Sequence, residues 1–101
     1  MAVIMYVDFP HKELWGDIMA SKMKELAQSI MEEPGCIWKI WTENEKEEMA
    51  GGVYLFDSRM NAEKYLTKHS ERLSNWGYND IRGRIFEINE NLSLIGKAPV
   101  F

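Results

Sequence analysis

From Pro34 to Phe56 the chain reads as two strands around a charged tip, and both strands carry large apolar side chains on both of their faces. Successive residues of a strand point to opposite sides of a sheet. Trp38 and Ile40 therefore share one face, and Ile37 and Trp41 the other; Tyr54 and Phe56 oppose Val53 and Leu55 in the same way. An antiparallel sheet with one wet face alternates apolar and polar residues instead. This hairpin demands cover on both sides, in a chain of 101 residues that can build only one modest core. One set of side chains is expected to meet helices. The other is expected to line a space shared between sheets, where a second subunit or a flat ligand completes the burial.

The rest of the chain supplies the partners of that hairpin. Residues 2–9 hold Val3, Ile4, Tyr6, Val7 and Phe9 and predict a first strand, broken at Pro10 and His11. From about Lys12 to Glu33, apolar residues fall at Trp15, Ile18, Met19, Met23, Leu26, Ala27 and Ile30, the gaps of an amphipathic helix that Pro34-Gly35 stops. Strands are predicted over residues 36–45 and 49–56. Gly51-Gly52 marks a bulge or a close approach of another backbone or a ligand. Asp57 or Ser58 caps a second helix with Ala62, Tyr65, Leu66, His69, Leu73 and Trp76 on its apolar side, and Gly77 suits the position past its end. A last strand over residues 80–89 and a short terminal turn complete one domain, residues 1–101.

This order, strand-helix-strand twice over, predicts an α+β, ferredoxin-like βαββαβ sandwich: a four-stranded antiparallel sheet with both helices on one face. The uncovered face is still apolar, so a homodimer packed sheet on sheet is expected.

Composition removes whole classes of function. A net charge of −4 and scattered basic residues exclude the basic face that phosphate backbones require, so no nucleic-acid partner is expected. No apolar run reaches the ~20 residues of a membrane helix. Cys36 is the lone cysteine, which permits no internal disulfide, and no basic stretch precedes the N-terminal apolar run; a cytoplasmic protein is expected. One Cys and two His at no ligand spacing predict no metal site. No nucleophile elbow, Walker sequence or dinucleotide fingerprint is present.

What remains for chemistry is aromatic. Trp38, Trp41, Tyr54, Phe56 and Tyr65 gather near one hairpin, more than a small core needs, and aromatic walls with polar tips suit a planar ligand. His69 lies on the apolar stripe of the second helix, where a general base or acid would titrate near neutrality. Arg72, Arg82 and Arg84 are candidates to hold an anion. Asp8 and Glu43 sit in or beside strands, placed to orient a histidine or arginine. Lys39 is expected to lay its stem across an indole with its ammonium in water, and His11 to lie at the surface. Cys36 fits a small buried residue.

Together, Pro34-Gly35, Trp38-Lys39-x-Trp41-Thr42-Glu43, Gly51-Gly52-x-Tyr54-Leu55-Phe56, the Tyr65-to-His69 segment, Arg72-Leu73, Gly77 and Phe86-x-x-Asn89-Glu90-x-Leu92-Ser93 resemble the YdhR-like mono-oxygenases over nearly the whole chain. The resemblance implies a dimeric α/β barrel of two ferredoxin-like sheets. It also implies a link to small monooxygenases that use neither flavin nor metal; joined to the aromatic set, this gives the expectation of a cofactor-independent monooxygenase on a small aromatic or polycyclic substrate. His69 would then be the base, Arg82 or Arg84 the anion partner, and Trp38, Trp41, Tyr54, Phe56 and Tyr65 the walls. A non-catalytic module that binds a small ligand is the alternative. Haem-degrading α/β barrels pair a helix histidine with a tryptophan upstream on the same helix and an asparagine on the first strand. Here no tryptophan precedes His69 on its helix and Asp8 stands on the first strand, which sets that activity aside.

Overall fold

The structure, a computed structural model, describes residues 1–100; residue 101, the last of the expected domain, lies outside them. The elements run β1 (Val3–Pro10), α1 (Gly16–Ile30), β2 (Cys36–Asn44), β3 (Met49–Phe56), α2 (Arg59–Asn75), β4 (Arg82–Glu87) and α3 (Glu90–Ile95). Four strands form one sheet in the order β2-β3-β1-β4, every neighbouring pair antiparallel. Each strand-helix-strand half leaves a gap that a strand of the other half fills, the ferredoxin-like α+β arrangement.

The inner face of the sheet carries Val3, Met5, Val7 and Phe9 of β1 beside Ala50, Tyr54 and Phe56 of β3. Ala62, Tyr65 and Leu73 of α2 and Ile30 of α1 close over them, with Met19 and Leu26 of α1 packed at the margin. Burying side chains of this size contributes about 1.5–3 kcal/mol each. Close approach of α2 to β4 depends on Gly83, where a Cβ would stand 2.4 Å from a methyl carbon of Leu66. Ser58 caps α2, its hydroxyl accepting from the Asn61 N–H at 3.2 Å.

The outer face holds Ile4, Tyr6 and Asp8 of β1, Val53 and Leu55 of β3, Trp38 and Ile40 of β2, and Arg82, Arg84 and Phe86 of β4, as the register requires. Leu55 is buried there, and the Trp38 indole N–H donates to the Pro99 carbonyl at 2.8 Å, so the C-terminal segment crosses this face. Ile40 and Phe86 stay exposed. No helix among the described residues is long and apolar enough to cross a membrane.

Three local expectations change. First, α1 begins at Gly16 rather than near Lys12, because residues 11–15 form a tied turn. His11 is buried instead of lying at the surface: Nε2 donates to the Leu14 carbonyl at 2.9 Å, which leaves Nδ1 to accept from the Tyr78 hydroxyl at 2.7 Å. Second, the Glu43 carboxylate accepts from the Gly16 N–H at 3.1 Å, at the positive end of α1, and orients no histidine or arginine. Third, a bulge between Cys36 and Trp38 takes Ile37 out of the ladder and leaves it exposed, so it does not share the face of Trp41.

Ser58→Ala removes the α2 cap and is expected to cost about 1 kcal/mol. In a chain of this size that is a fall of about 4–8 °C in the thermal unfolding midpoint, read by circular dichroism.

Candidate functional site

The register puts Lys39 directly opposite Tyr54 and Trp41 opposite Gly52, all on the inner face. Here α1 and α2 leave a cavity of about 20 Å³ against the sheet. Its wall includes Trp41, Tyr54, Trp76 and Tyr78, and its polar end is made by Lys39 and His69. That volume holds about one water. A wider groove of about 380 Å³ runs along α1 and the β2 edge. Met19, Met23 and Trp41 line both spaces and stand between them. From the sequence, the ligand space is expected on the sheet face away from the helices. The small cavity is on the helix face, and the outer face holds an open space of about 550 Å³ lined by Tyr6, Asp8, Ile81, Arg82, Gly83 and Arg84.

His69 is stacked on Tyr65, ring centroids 5.1 Å apart, and Tyr65 in turn lies 5.6 Å from Phe56 and 5.4 Å from Tyr54. Arg72, one turn along α2, brings Nη1 to 3.3 Å from Nδ1 of His69. A guanidinium only donates, so Nδ1 is the acceptor and the imidazole is neutral with its proton on Nε2. Burial pulls the His69 pKa down to about 3, and the charges of Lys39 and Arg72 push the same way.

Lys39 is not the wet surface cation that the sequence analysis expects. Its Nζ sits 3.4 Å from the centroid of the Trp41 ring and 4.7 Å from that of Tyr54. Burial lowers its pKa to about 7; neighbouring Cys36 opposes the shift and Arg72 adds to it. The Tyr54 phenol is pushed far above its ordinary range by burial first and by Tyr65 second. The Tyr65 hydroxyl is buried with no hydrogen-bond partner, and burial raises its pKa to about 12.

The expected site residues therefore divide. His69, Trp41 and Tyr54 line the cavity, and Phe56 and Tyr65 form the stack behind it. Trp38 is on the outer face. Arg82 and Arg84 are there too, across the sheet from His69, so one protomer does not assemble His69 with either arginine. Arg82 is held by both carboxylate oxygens of Asp8, at 2.8 and 2.7 Å, and Arg84 lies over Phe86. The cause is strand parity: 82, 84 and 86 point away from the helices, and Gly83 and Ile85 point toward them. Parity was also the signal for Lys39, which shares its face with Trp41. Among the described residues no three His, Cys, Asp or Glu side chains cluster as metal ligands would.

A four-stranded antiparallel sheet with its helices on one face is the ferredoxin-like α+β frame. The chain belongs to the family described as putative mono-oxygenase ydhR, which matches residues 4–99. It is also similar to the crystal structure of a putative antibiotic biosynthesis monooxygenase from Deinococcus radiodurans, with a TM-score of 0.56 and 14% identity, over 88% of this chain and 93% of that one. At that identity the likeness is one of fold. No curated protein matches the chain.

The His69 shift has a signed consequence. Above the ordinary histidine value of about 6.5 the imidazole is neutral in both folded and unfolded chains and contributes nothing. Below it the unfolded chain binds the proton first, so this group lowers stability by up to about 1.4 kcal/mol per pH unit until pH approaches 3. His69→Gln removes that component. Denaturant unfolding of both proteins at pH 7 and pH 5 should show the variant losing less stability on acidification than the wild type.

Proposed function

We propose that the protein is a monooxygenase that acts on a small aromatic substrate without flavin or metal, in the pocket between the sheet and the two long helices. One observation carries this: in a chain of a mono-oxygenase family, Trp41, Tyr54, Trp76 and Tyr78 surround a polar end made by Lys39 and His69. Aromatic walls hold a flat apolar ring system, and a few polar tips fix its orientation. The cavity as it stands admits a water and not a ring. Met19 and Met23 are unbranched side chains that change rotamer readily, so the substrate enters from the groove along α1 as they swing aside.

Dioxygen is a triplet and reacts slowly with closed-shell molecules, so without a cofactor the substrate must supply the electrons. A ring hydroxyl loses its proton, and the anion passes one electron to O2. The two radicals join at a ring carbon as a hydroperoxide. Loss of water leaves a carbonyl at that carbon. One oxygen atom stays in the product and the other leaves as water, whose two hydrogens are the proton released by the hydroxyl, which returns to the peroxide oxygen, and the single hydrogen of that ring carbon. The dry pocket favours the first step only if positive charge or donors meet the anion. His69 protonates near pH 3 and is too weak a base to take that proton well at neutrality; it serves as a neutral hydrogen-bonding group at the substrate oxygen.

We further propose a homodimer, a dimeric α/β barrel, formed through the outer sheet face. Exposed Ile40 and Phe86 flank the partly buried Ile4, Tyr6, Val53 and Trp38 on that face, and the charges of Asp8 and Arg82 are matched to each other. Packing two such faces buries the apolar excess of the hairpin.

With a panel of hydroxylated polycyclic aromatics, one member or more should give protein-dependent oxygen uptake, one O2 per carbonyl formed, and Trp41→Ala should lower the rate by about tenfold or more. Thermal stabilisation by those compounds with no oxygen uptake would identify a ligand-binding module instead. In gel filtration with light scattering the wild type should run at twice the chain mass, and Ile40→Asp at the mass of one chain.

A further inference from the structure

We infer that Lys39 takes the proton from an acidic hydroxyl of the substrate and then holds the resulting anion, so that the pocket selects planar aromatic molecules carrying such a group. This rests on the pocket being the substrate site, and it assigns the base and the charge partner that His69, Arg82 and Arg84 do not provide there.

The placement of Lys39 is the first reason. A lysine on a small domain ordinarily carries its ammonium to water. Lys68 does so here and pairs with Glu33 at 2.6 Å. Lys39 instead turns under the helices, between the rings of Trp41 and Tyr54. Among the described residues no carboxylate is within ion-pair distance of it. Only ring faces meet its charge, and a cation held half-buried without a counter-ion is costly.

The second reason is that the backbone makes room for this costly group. At Gly52, the cross-strand neighbour of Trp41, a Cβ would stand 2.5 Å from Lys39 Cε. Any larger residue would push the stem out of its lane. Gly51, by contrast, is small because Val7 comes close: a Cβ there would meet the Val7 carbonyl oxygen. The two glycines thus have separate causes, and only Gly52 serves Lys39.

The third reason is chemical. Around Nζ stand Tyr54 of β3, His69 and Arg72 of α2, and Cys36 and Trp41 of β2; α1 presents only Met19, Met23 and Leu26 to the cavity. None of the ionisable groups is an anion at neutral pH: His69 is neutral, Tyr54 and Cys36 are raised by burial, and Arg72 is a cation. The field favours a bound negative charge. Burial also brings the amine into the range where a general base works at neutral pH. In the step itself the O–H bond breaks, the proton passes to the lone pair of Nζ, and the oxygen keeps the bonding electrons. The ammonium so formed remains beside the oxyanion.

Titration of the full-length protein with 4-nitrophenol and with its methyl ether, 4-nitroanisole, tests this by absorbance, since only the phenolate form of the first is yellow. At a pH where free 4-nitrophenol is mostly protonated, the wild type should bind it as phenolate, and at least about tenfold tighter than the ether. Lys39→Met should lose the phenolate band and the preference. Lys39→Arg should keep the band but release the proton to buffer, because a guanidinium cannot accept it. Lys68→Met, which removes a surface lysine away from the cavity, should keep the band. In the empty protein Lys39→Met should unfold at a higher temperature than wild type, since it removes an unpaired half-buried charge; a lower temperature would mark Lys39 as structural and overturn the assignment. A phenolate band of equal strength in Lys39→Met would overturn it while leaving the pocket as the binding site. If neither compound binds the wild type, the pocket and the role of Lys39 both fall.

Discussion

The stack of Phe56, Tyr65 and His69, with Tyr54 against its flank, is the contact on which the rest of the architecture turns. It fastens α2 to the central strands of the sheet. Two of its members, Tyr54 and Phe56, are fully buried, and both neighbour β1 across the ladder. The position of α2 then fixes where His69 and Arg72 stand relative to Lys39. Aromatic pairs at these separations contribute about 0.5–1.5 kcal/mol each beyond the area that they bury. The same contact that closes the core therefore forms one wall of the cavity.

That economy has a thermodynamic side. An all-apolar inner face would be the more stable solution for a small domain. Instead the face holds a neutral histidine, an unpaired lysine and a tyrosine hydroxyl without a partner. Each lowers stability relative to an apolar residue of the same shape. They cluster on one side of the sheet, next to the apolar wall of Met19, Met23 and Trp41 that the groove shares. Concentrated departures from good packing are expected where a fold carries chemistry. The outer face follows the opposite rule. Its buried carboxylate, Asp8, is matched by Arg82 and so carries none of the cost of an unpaired charge.

Much of this was legible in the chain. The period of three and four along α2 picked out Ala62, Tyr65, Leu66, His69, Leu73 and Trp76; Ala62, Tyr65, His69 and Leu73 are buried, Leu66 is half-buried, and Trp76, past the helix end, is exposed. The limits of β3 follow from composition alone, and Pro34-Gly35 stops α1 as local chemistry requires. Where the fold departs from the expectation, the cause is a long-range contact. His11 is drawn inside by Tyr78, far along the chain, and this delays α1 to Gly16. Glu43 faces the N-terminus of α1 rather than a basic side chain.

The sequence by itself determined the alternation of elements, the two-faced hairpin and the aromatic content of the site, because these depend on periodicity and on the properties of single residues. Only the tertiary structure decided which face holds the cavity. Lys39 and Arg82 look equivalent as cations on apolar strands. One turns inward beside Trp41, Tyr54 and His69, and the other turns outward to Asp8. The difference comes from strand parity relative to a helix layer whose side is set by how the two halves of the chain interlock. A charge becomes chemically useful only when its surroundings remove water and counter-ions, and those surroundings are assembled from residues distant in sequence.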